Sequence, residues 1–220
     1  MVRKNRLPRF PFDYINEKAE EYNNSKWMER NQKRATLLSI QYLFDENLND
    51  IDTKVNKIGD PFLILDLGCG TGFSSEILIE NNFRVIGIDK LPDMLLKAKE
   101  KKTRIFMKLP FFELILADIN FLPIRVNSLD YIISVSVYNF ITYGSQNYNE
   151  KLKVINDTAR YLNRILKKNG RMVIEFYPKD EKELDIFNKS FIKNGFEGFM
   201  IKSNPNQKSG QTFLLLRNDK

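Results

Sequence analysis

Three glycines at alternate positions, Gly68, Gly70 and Gly72, follow the apolar run Phe62 to Leu65 and its closing acid, Asp66. Phe73, Ile77 and Leu78 then begin a helical apolar spacing. Strand, tight glycine turn and helix form the unit from which an open α/β sheet builds a ligand site. Glycine allows the sharp turn and a close approach of ligand to backbone, because no Cβ intervenes. The dinucleotide fingerprint wants its third glycine one place later, where Phe73 stands, so the pattern does not favour a pyrophosphate.

At 220 residues the chain is long enough for one domain with a proper core. The expected division is a single domain over 1–220, with a basic arm at 1–12, helices and a linker over 13–60, and an α/β core over 61–220. The single cysteine excludes an intramolecular disulfide, and the absence of histidine removes a self-contained Cys/His zinc site, so no metal ligands are assigned. No apolar run approaches a membrane span, and the N-terminus lacks the apolar core of a signal peptide. The cytoplasm is the expected compartment, with no membrane partner. A net charge of +7 suits a polyanion such as RNA, although lysine-rich faces also serve simply as solvated surface.

Pro8 and Pro11 break the basic arm. Asp13 to Tyr22 reads as a short helix, and Ser25 as the cap of a longer one with Leu37, Ile40 and Phe44 on its apolar face. Strands are expected at Arg84 to Asp89, Leu114 to Asp118, Tyr131 to Val137 and Arg171 to Tyr177. Pro92 suits a first helical turn. Leu152, Ile155, Ala159, Leu162 and Leu166 mark an amphipathic helix that Asn169-Gly170 should close. A further helix through Leu184, Phe187 and Phe191 ends at Asn194-Gly195. Two final strands, Glu197 to Lys202 and Thr212 to Arg217, read as a hairpin. The fold class is α/β, a seven-stranded Rossmann-like sheet with helices on both faces and a C-terminal antiparallel hairpin.

The run Asp66-Leu67-Gly68-Cys69-Gly70-Thr71-Gly72 resembles motif I, D/E-x-G-x-G-x-G, of the class I S-adenosylmethionine (SAM)-dependent methyltransferases. In that reading SAM is the cofactor and S-adenosylhomocysteine (SAH) the product. Asp66, with the Gly68, Cys69 and Gly70 backbone, faces the methionine part, where a carboxylate holds the ammonium directly or through water. Asp89 lies about 20 residues beyond the turn, the place of an acid that chelates ribose hydroxyls. Lys90 and Met94 border the adenine, and Asp118 and Ile119 meet its amino group and its ring. Taken singly, an acid at a strand end is an ordinary turn residue. Methyl transfer from a sulfonium is an in-line displacement governed by alignment, and it needs a base only when the nucleophile must lose a proton. Lacking histidine, the chain suits an acceptor with a free lone pair, such as guanine N7.

Beyond motif I the chain resembles the small-subunit rRNA guanine-N7 methyltransferases of eukaryotes and their archaeal relatives. The resemblance covers most of residues 19–216. It rests on AEEYNNS from Ala19, LILDLGCGTGFSSEIL from Leu63, LDYIISVSVYNF from Leu129, EFYPKD from Glu175 and GFEGFMIKSNPNQK from Gly195. It departs where Asn139-Phe140 replaces the family's Gln-Trp, and where Trp27 replaces an arginine. The resemblance implies that Ser134 and Ser136 line the cofactor cleft, while Tyr138, Asn139, Phe140 and Tyr177 position the target base without acting as a base catalyst. Aromatic rings there would stack a splayed base; packing around the fourth strand is the alternative role for Tyr138 and Phe140. The resemblance also implies a small zinc-binding activator protein. The apolar run Ile105 to Leu116, beside a strand expected at a sheet edge, is its expected docking site. Two other functions stay open: a small-molecule methyltransferase, marked by a lidded apolar pocket rather than a basic rim, and a SAM-binding ribosome-assembly factor.

Overall fold

The computed structural model describes residues 9–45, 61–105, 111–137, 140–178, 180–203 and 211–219. Most of the expected basic arm, the linker, Phe106, Met107, Tyr138 and Asn139 lie outside the described residues. Among these residues seven strands form one sheet: β1 (Leu63–Leu67), β2 (Arg84–Asp89), β3 (Phe112–Leu116), β4 (Leu129–Val135), β5 (Leu166–Phe176), β6 (Phe196–Lys202) and β7 (Thr212–Asn218). Their order is β3-β2-β1-β4-β5-β7-β6. The first five are parallel, and the β6–β7 hairpin adds antiparallel to β5. The order reverses between β1 and β4, and a ligand crevice is expected beyond the carboxyl ends at that point.

Alternation along β1 divides its side chains between two cores. Leu65 and Leu67 pack with Ile155, Ala159 and Leu162 of α5 (Tyr148–Ile165) and Phe187 and Phe191 of α6 (Glu181–Lys193). Ile64 packs with Ala35 and Leu43 of α2 (Lys26–Leu43) and Leu78 and Ile79 of α3 (Phe73–Glu80). Helices therefore cover both faces. Lys33 ties α2 to α3 by reaching Glu76 at 2.7 Å as well as Glu29 at 2.9 Å. The Ser25 cap forms as expected, its Oγ accepting from the Met28 amide, and α4 (Pro92–Ile105) opens on its proline.

Several local expectations are corrected. The first helix is broken into a 3-10 turn at Phe12–Tyr14 and α1 (Glu17–Asn23), because Asn16 turns to φ 54° and its amide donates instead to Asp93 Oδ2 at 2.6 Å. The buried face of α2 is Ala35, Thr36, Ser39 and Leu43, whereas Leu37 and Phe44 are exposed; small side chains let this helix lie close to its neighbours. The third and fourth strands start and end two residues earlier than the sequence suggested. A left-handed Ser136 (φ 59°) stops the ladder after Val135. Asn169-Gly170 does not close α5. That helix ends at Ile165, Leu166 is already extended and pairs with Leu129, and the register then jumps to Tyr131 opposite Arg171. Strand pairing has overridden the local stop signal, with Asn169 at φ 60° inside the excursion.

Candidate active site

Register brings the chemistry to one edge. Leu67 lies opposite Ile88, Asp89 opposite Leu116, and Val135 opposite Glu175, so Gly68, Lys90, Asp118, Ser136 and Tyr177 all leave the sheet on the same side. The glycine turn is latched to β2 at two levels. The Gly68 and Cys69 amides donate to the Ile88 carbonyl at 2.8 and 2.9 Å, and the Gly70 amide donates to Asp89 Oδ2 at 2.9 Å. Gly68 and Gly70 have φ of +79° and +54°. A Cβ on Gly68 would lie 2.7 Å from both Cβ and Cγ2 of Val137, so no side chain fits there. Cys69 and Met94 are buried beneath the turn, and burial pushes the Cys69 thiol well up, which leaves it a packing group.

Asp66 is 1% exposed, and its Oδ2 accepts from both Ser74 Oγ and Ser75 Oγ at 2.6 Å. It thus fixes the first turn of α3. Burial raises its carboxyl to about 6, against the two serine hydroxyls that favour the ion. A carboxyl raised on folding holds its proton better in the native state, so its contribution to stability is complete below the ordinary value of 3.8 and is lost as pH rises through about 6. Relative to wild type, Asp66→Asn should therefore become progressively more stable between pH 4 and pH 7, by roughly 3 kcal/mol at most. Urea unfolding at several pH values checks this, and parallel stability curves would contradict it.

Asp89 also accepts from the Leu91 amide at 2.8 Å; burial raises its carboxyl, and the Leu91, Gly70 and Lys90 amides and the Lys90 charge pull the other way. Lys90 Nζ bridges to Asp118 Oδ2 at 2.9 Å. Burial alone would raise the Asp118 carboxyl, but the Asn120 amide and Lys90 leave it below its ordinary value. Ile119 is half-buried against the α5 core. Ser134, fully buried in β4, and Thr71, buried in the turn, have hydroxyls with no hydrogen-bond partner among the described residues.

The expected base-facing residues Phe140 and Tyr177 stand at the same edge, with Tyr177 39% exposed. What the sequence reading missed is the aromatic chain laid across the mouth by the N-terminal segment. Phe10 stacks on Phe140 at 5.0 Å, with Lys90 Nζ 5.7 Å from its ring. Tyr14 lies 6.0 Å from Phe140 and 5.5 Å from Tyr22, which in turn stacks on Phe73 at 6.2 Å. Burial pushes the Tyr14 phenol up to about 12, and the Asp13 and Asp89 charges add to the shift. One face of Phe140 is thereby covered by Phe10. The aromatic spacing of Phe10, Tyr14 and Tyr22 was the available signal, but it reads equally as a helix face.

Residues 61–208 match the methyltransferase domain family. Curated relatives include the 18S rRNA (guanine(1575)-N(7))-methyltransferase of Saccharomyces cerevisiae, 28% identical over 197 residues, covering 89% of this chain and 64% of the relative. The 18S rRNA (guanine-N(7))-methyltransferase of Bos taurus is 27% identical over 156 residues, covering 70% of this chain and 53% of the relative. The chain thus spans between about half and two thirds of the length of these relatives. Among solved structures, the magnesium protoporphyrin IX methyltransferase of Synechocystis with bound SAH superposes with a TM-score of 0.65 at 17% identity, over 94% of this chain and 96% of that one. That likeness concerns the fold. A glycine turn latched to an acid on β2, at the carboxyl edge of a sheet ordered 3-2-1-4-5-7-6, agrees with the sequence match: this chain belongs to the methyltransferase domain family.

Proposed function

We propose that the chain transfers a methyl group from SAM to RNA, at guanine N7 of small-subunit rRNA. The observation that carries the cofactor half is the Gly68–Gly70 turn, which leaves no room for a side chain at Gly68 and has Asp89 beside it. The orphaned hydroxyls of Ser134 and Thr71 fit a polar ligand in the same crevice. Asp66 and the glycine backbone would hold the methionine part, Asp89 the ribose, and Asp118, Ile119, Lys90 and Met94 the adenine. When bound, SAM supplies an electrophilic methyl on a sulfonium. The work left to the protein is alignment and exclusion of water.

The acceptor half rests on the names of the relatives, on the +7 charge and on the aromatic mouth. Phe140 and Tyr177 would stack or flank the base, Tyr138 and Asn139 would meet its edge, and no residue is assigned as a general base. With guanine N7 as nucleophile no proton leaves in the displacement, so the single-turnover rate at saturating SAM and RNA should not climb tenfold per unit between pH 6 and 8. A climb of that steepness, measured by rapid quench with labelled SAM, would overturn the N7 assignment.

A small zinc-binding protein is the partner we assign to the β3 edge. Among the described residues β3 is the terminal strand of the sheet, and Phe111 (43%), Leu116 (56%) and Phe121 (82%) are exposed along or just beyond it. Such an edge can accept a partner strand together with its apolar side chains. Phe112, expected to share this face, is 4% exposed and belongs to the core, so it is removed from the docking set. Leu116→Glu with Phe111→Glu should reduce co-purification of that partner at least tenfold while SAM affinity stays within about twofold. Retained co-purification would move the partner elsewhere.

A further inference from the structure

Glu175, at the carboxyl end of β5, is a charged group that neither the cofactor nor the acceptor reading uses. It is fully buried, yet it fills no apolar layer. Its carboxylate accepts from Ser136 Oγ at 2.6 Å, Tyr177 Oη at 2.8 Å and Gln211 Nε2 at 2.5 Å. Those donors come from three separate segments: the exit of β4, the exit of β5 and the start of β7. Burying a carboxylate is costly, and hydrogen bonds to it are what offset the cost. Burial pushes the Glu175 carboxyl up and the three donors pull the other way; an apolar side chain would hold an ordinary core more cheaply, so what this group secures is the three donors.

Two of the donors are in unusual states. Ser136 is a non-glycine residue at φ 59°, a conformation that persists only when its surroundings hold it. It leads within two residues into Tyr138. Tyr177 is 39% exposed at the cleft mouth while its hydroxyl is tied to a fully buried partner, so the ring is pinned at its far end. Gln211 brings the closing hairpin to the same point.

We propose that Glu175 is the positioning residue of the acceptor pocket: its carboxylate sets the Ser136 turn and the Tyr177 ring, and couples both to the start of β7 through Gln211. This rests on the methyl-transfer reading above and names what regulates that site. The role is indirect. Glu175 touches neither the cofactor residues Asp66 and Asp89 nor, on this reading, the methyl group.

The test is single-turnover methyl transfer to deproteinised small-subunit rRNA, with SAM affinity measured in parallel by calorimetry, for wild type, Glu175→Gln, Ser136→Ala, Tyr177→Phe and Gln211→Ala. Glu175→Gln keeps the shape but presents an amide N–H to one of the donors. It should lose about tenfold or more in rate, since small misplacements of an acceptor are expensive, with SAM affinity within about twofold. Each donor variant, which removes one partner of the carboxylate and leaves the carboxylate in place, should lose less, and adding any of them to Glu175→Gln should cost nothing further, the signature of a shared network. Full rate in Glu175→Gln, an equal loss of SAM affinity, or additive losses would overturn the proposal. If Glu175→Gln fails to fold, a wild-type rate in all three donor variants would overturn it. A wild-type protein that leaves rRNA unmethylated would overturn the acceptor reading itself, which sets the two failures apart.

Discussion

Gly68→Val is expected to eliminate SAM binding detectable by calorimetry. Two effects act together. A side chain at φ +79° is strained by about 1–3 kcal/mol whatever the space around it. Here there is also no space, because the new Cβ would press into Val137 at 2.7 Å and force the β1 and β4 exits apart. Those two exits flank the crevice. Gly70→Ala provides the milder companion. Its Cβ would meet only the flexible end of Met94, at 3.3 Å, so the protein should fold and bind SAM about tenfold more weakly. A folded Gly68 variant with wild-type affinity would remove the glycine turn from the cofactor site.

Asp89→Ala should weaken SAM binding by about 1.5–3 kcal/mol, the range for hydrogen bonds to a charged group. The substitution removes an observed task, the latching of the Gly70 and Leu91 amides, together with the proposed one, the hold on the ribose. The tasks can be separated. If Asp89 binds the ribose, wild type should discriminate between SAH and an SAH analogue lacking the ribose hydroxyls, and Asp89→Ala should lose that discrimination. Unchanged SAM affinity in the folded variant would exclude Asp89 from the site. Discrimination equal to that of wild type would leave it as a latch alone.

The fold was legible wherever local pattern and tertiary structure agree. β2 was bounded to the residue, and the glycine turn, the Ser25 cap, Pro92 and the Asn194-Gly195 stop all perform locally what their side chains dictate. The misreadings share one cause. Asn169-Gly170 is a good helix terminator, but Leu166 finds a strand partner in Leu129 first. Asn16 breaks a sequence that would otherwise continue as a helix because Asp93, on a distant segment, captures its amide. Periodicity places Leu37 inward, but the close approach of α2 selects Ala35 and Ser39 instead, while Phe44, partly exposed just past the helix, keeps its ring against Phe62, Phe83 and Tyr131.

The acids proposed for the cofactor were legible as residues at the carboxyl edge because each lies within two residues of a strand end, Asp66 in β1, Asp89 closing β2 and Asp118 just past β3. Asp66 shows the limit of such reading. It stands near the end of β1, but its commitment to Ser74 and Ser75 depends on the helix folding back over it. Phe10, Tyr14 and Tyr22 reach the cleft only through the path of the N-terminal segment, and Glu175 gains its meaning only when β4, β5 and β7 converge. The aromatic spacing reads equally as a helix face, and the Glu175 convergence has no spacing that could reveal it.

The most direct measurement is to incubate the protein with SAM and unmodified small-subunit rRNA, cleave at N7-methylguanine by borohydride and aniline, and map the ends by primer extension. A single SAM-dependent cleavage at one guanine, lost in the Gly68→Val variant, is the predicted result. Methyl transfer confined to a small molecule or protein acceptor, or to an RNA position that resists this cleavage, would contradict it.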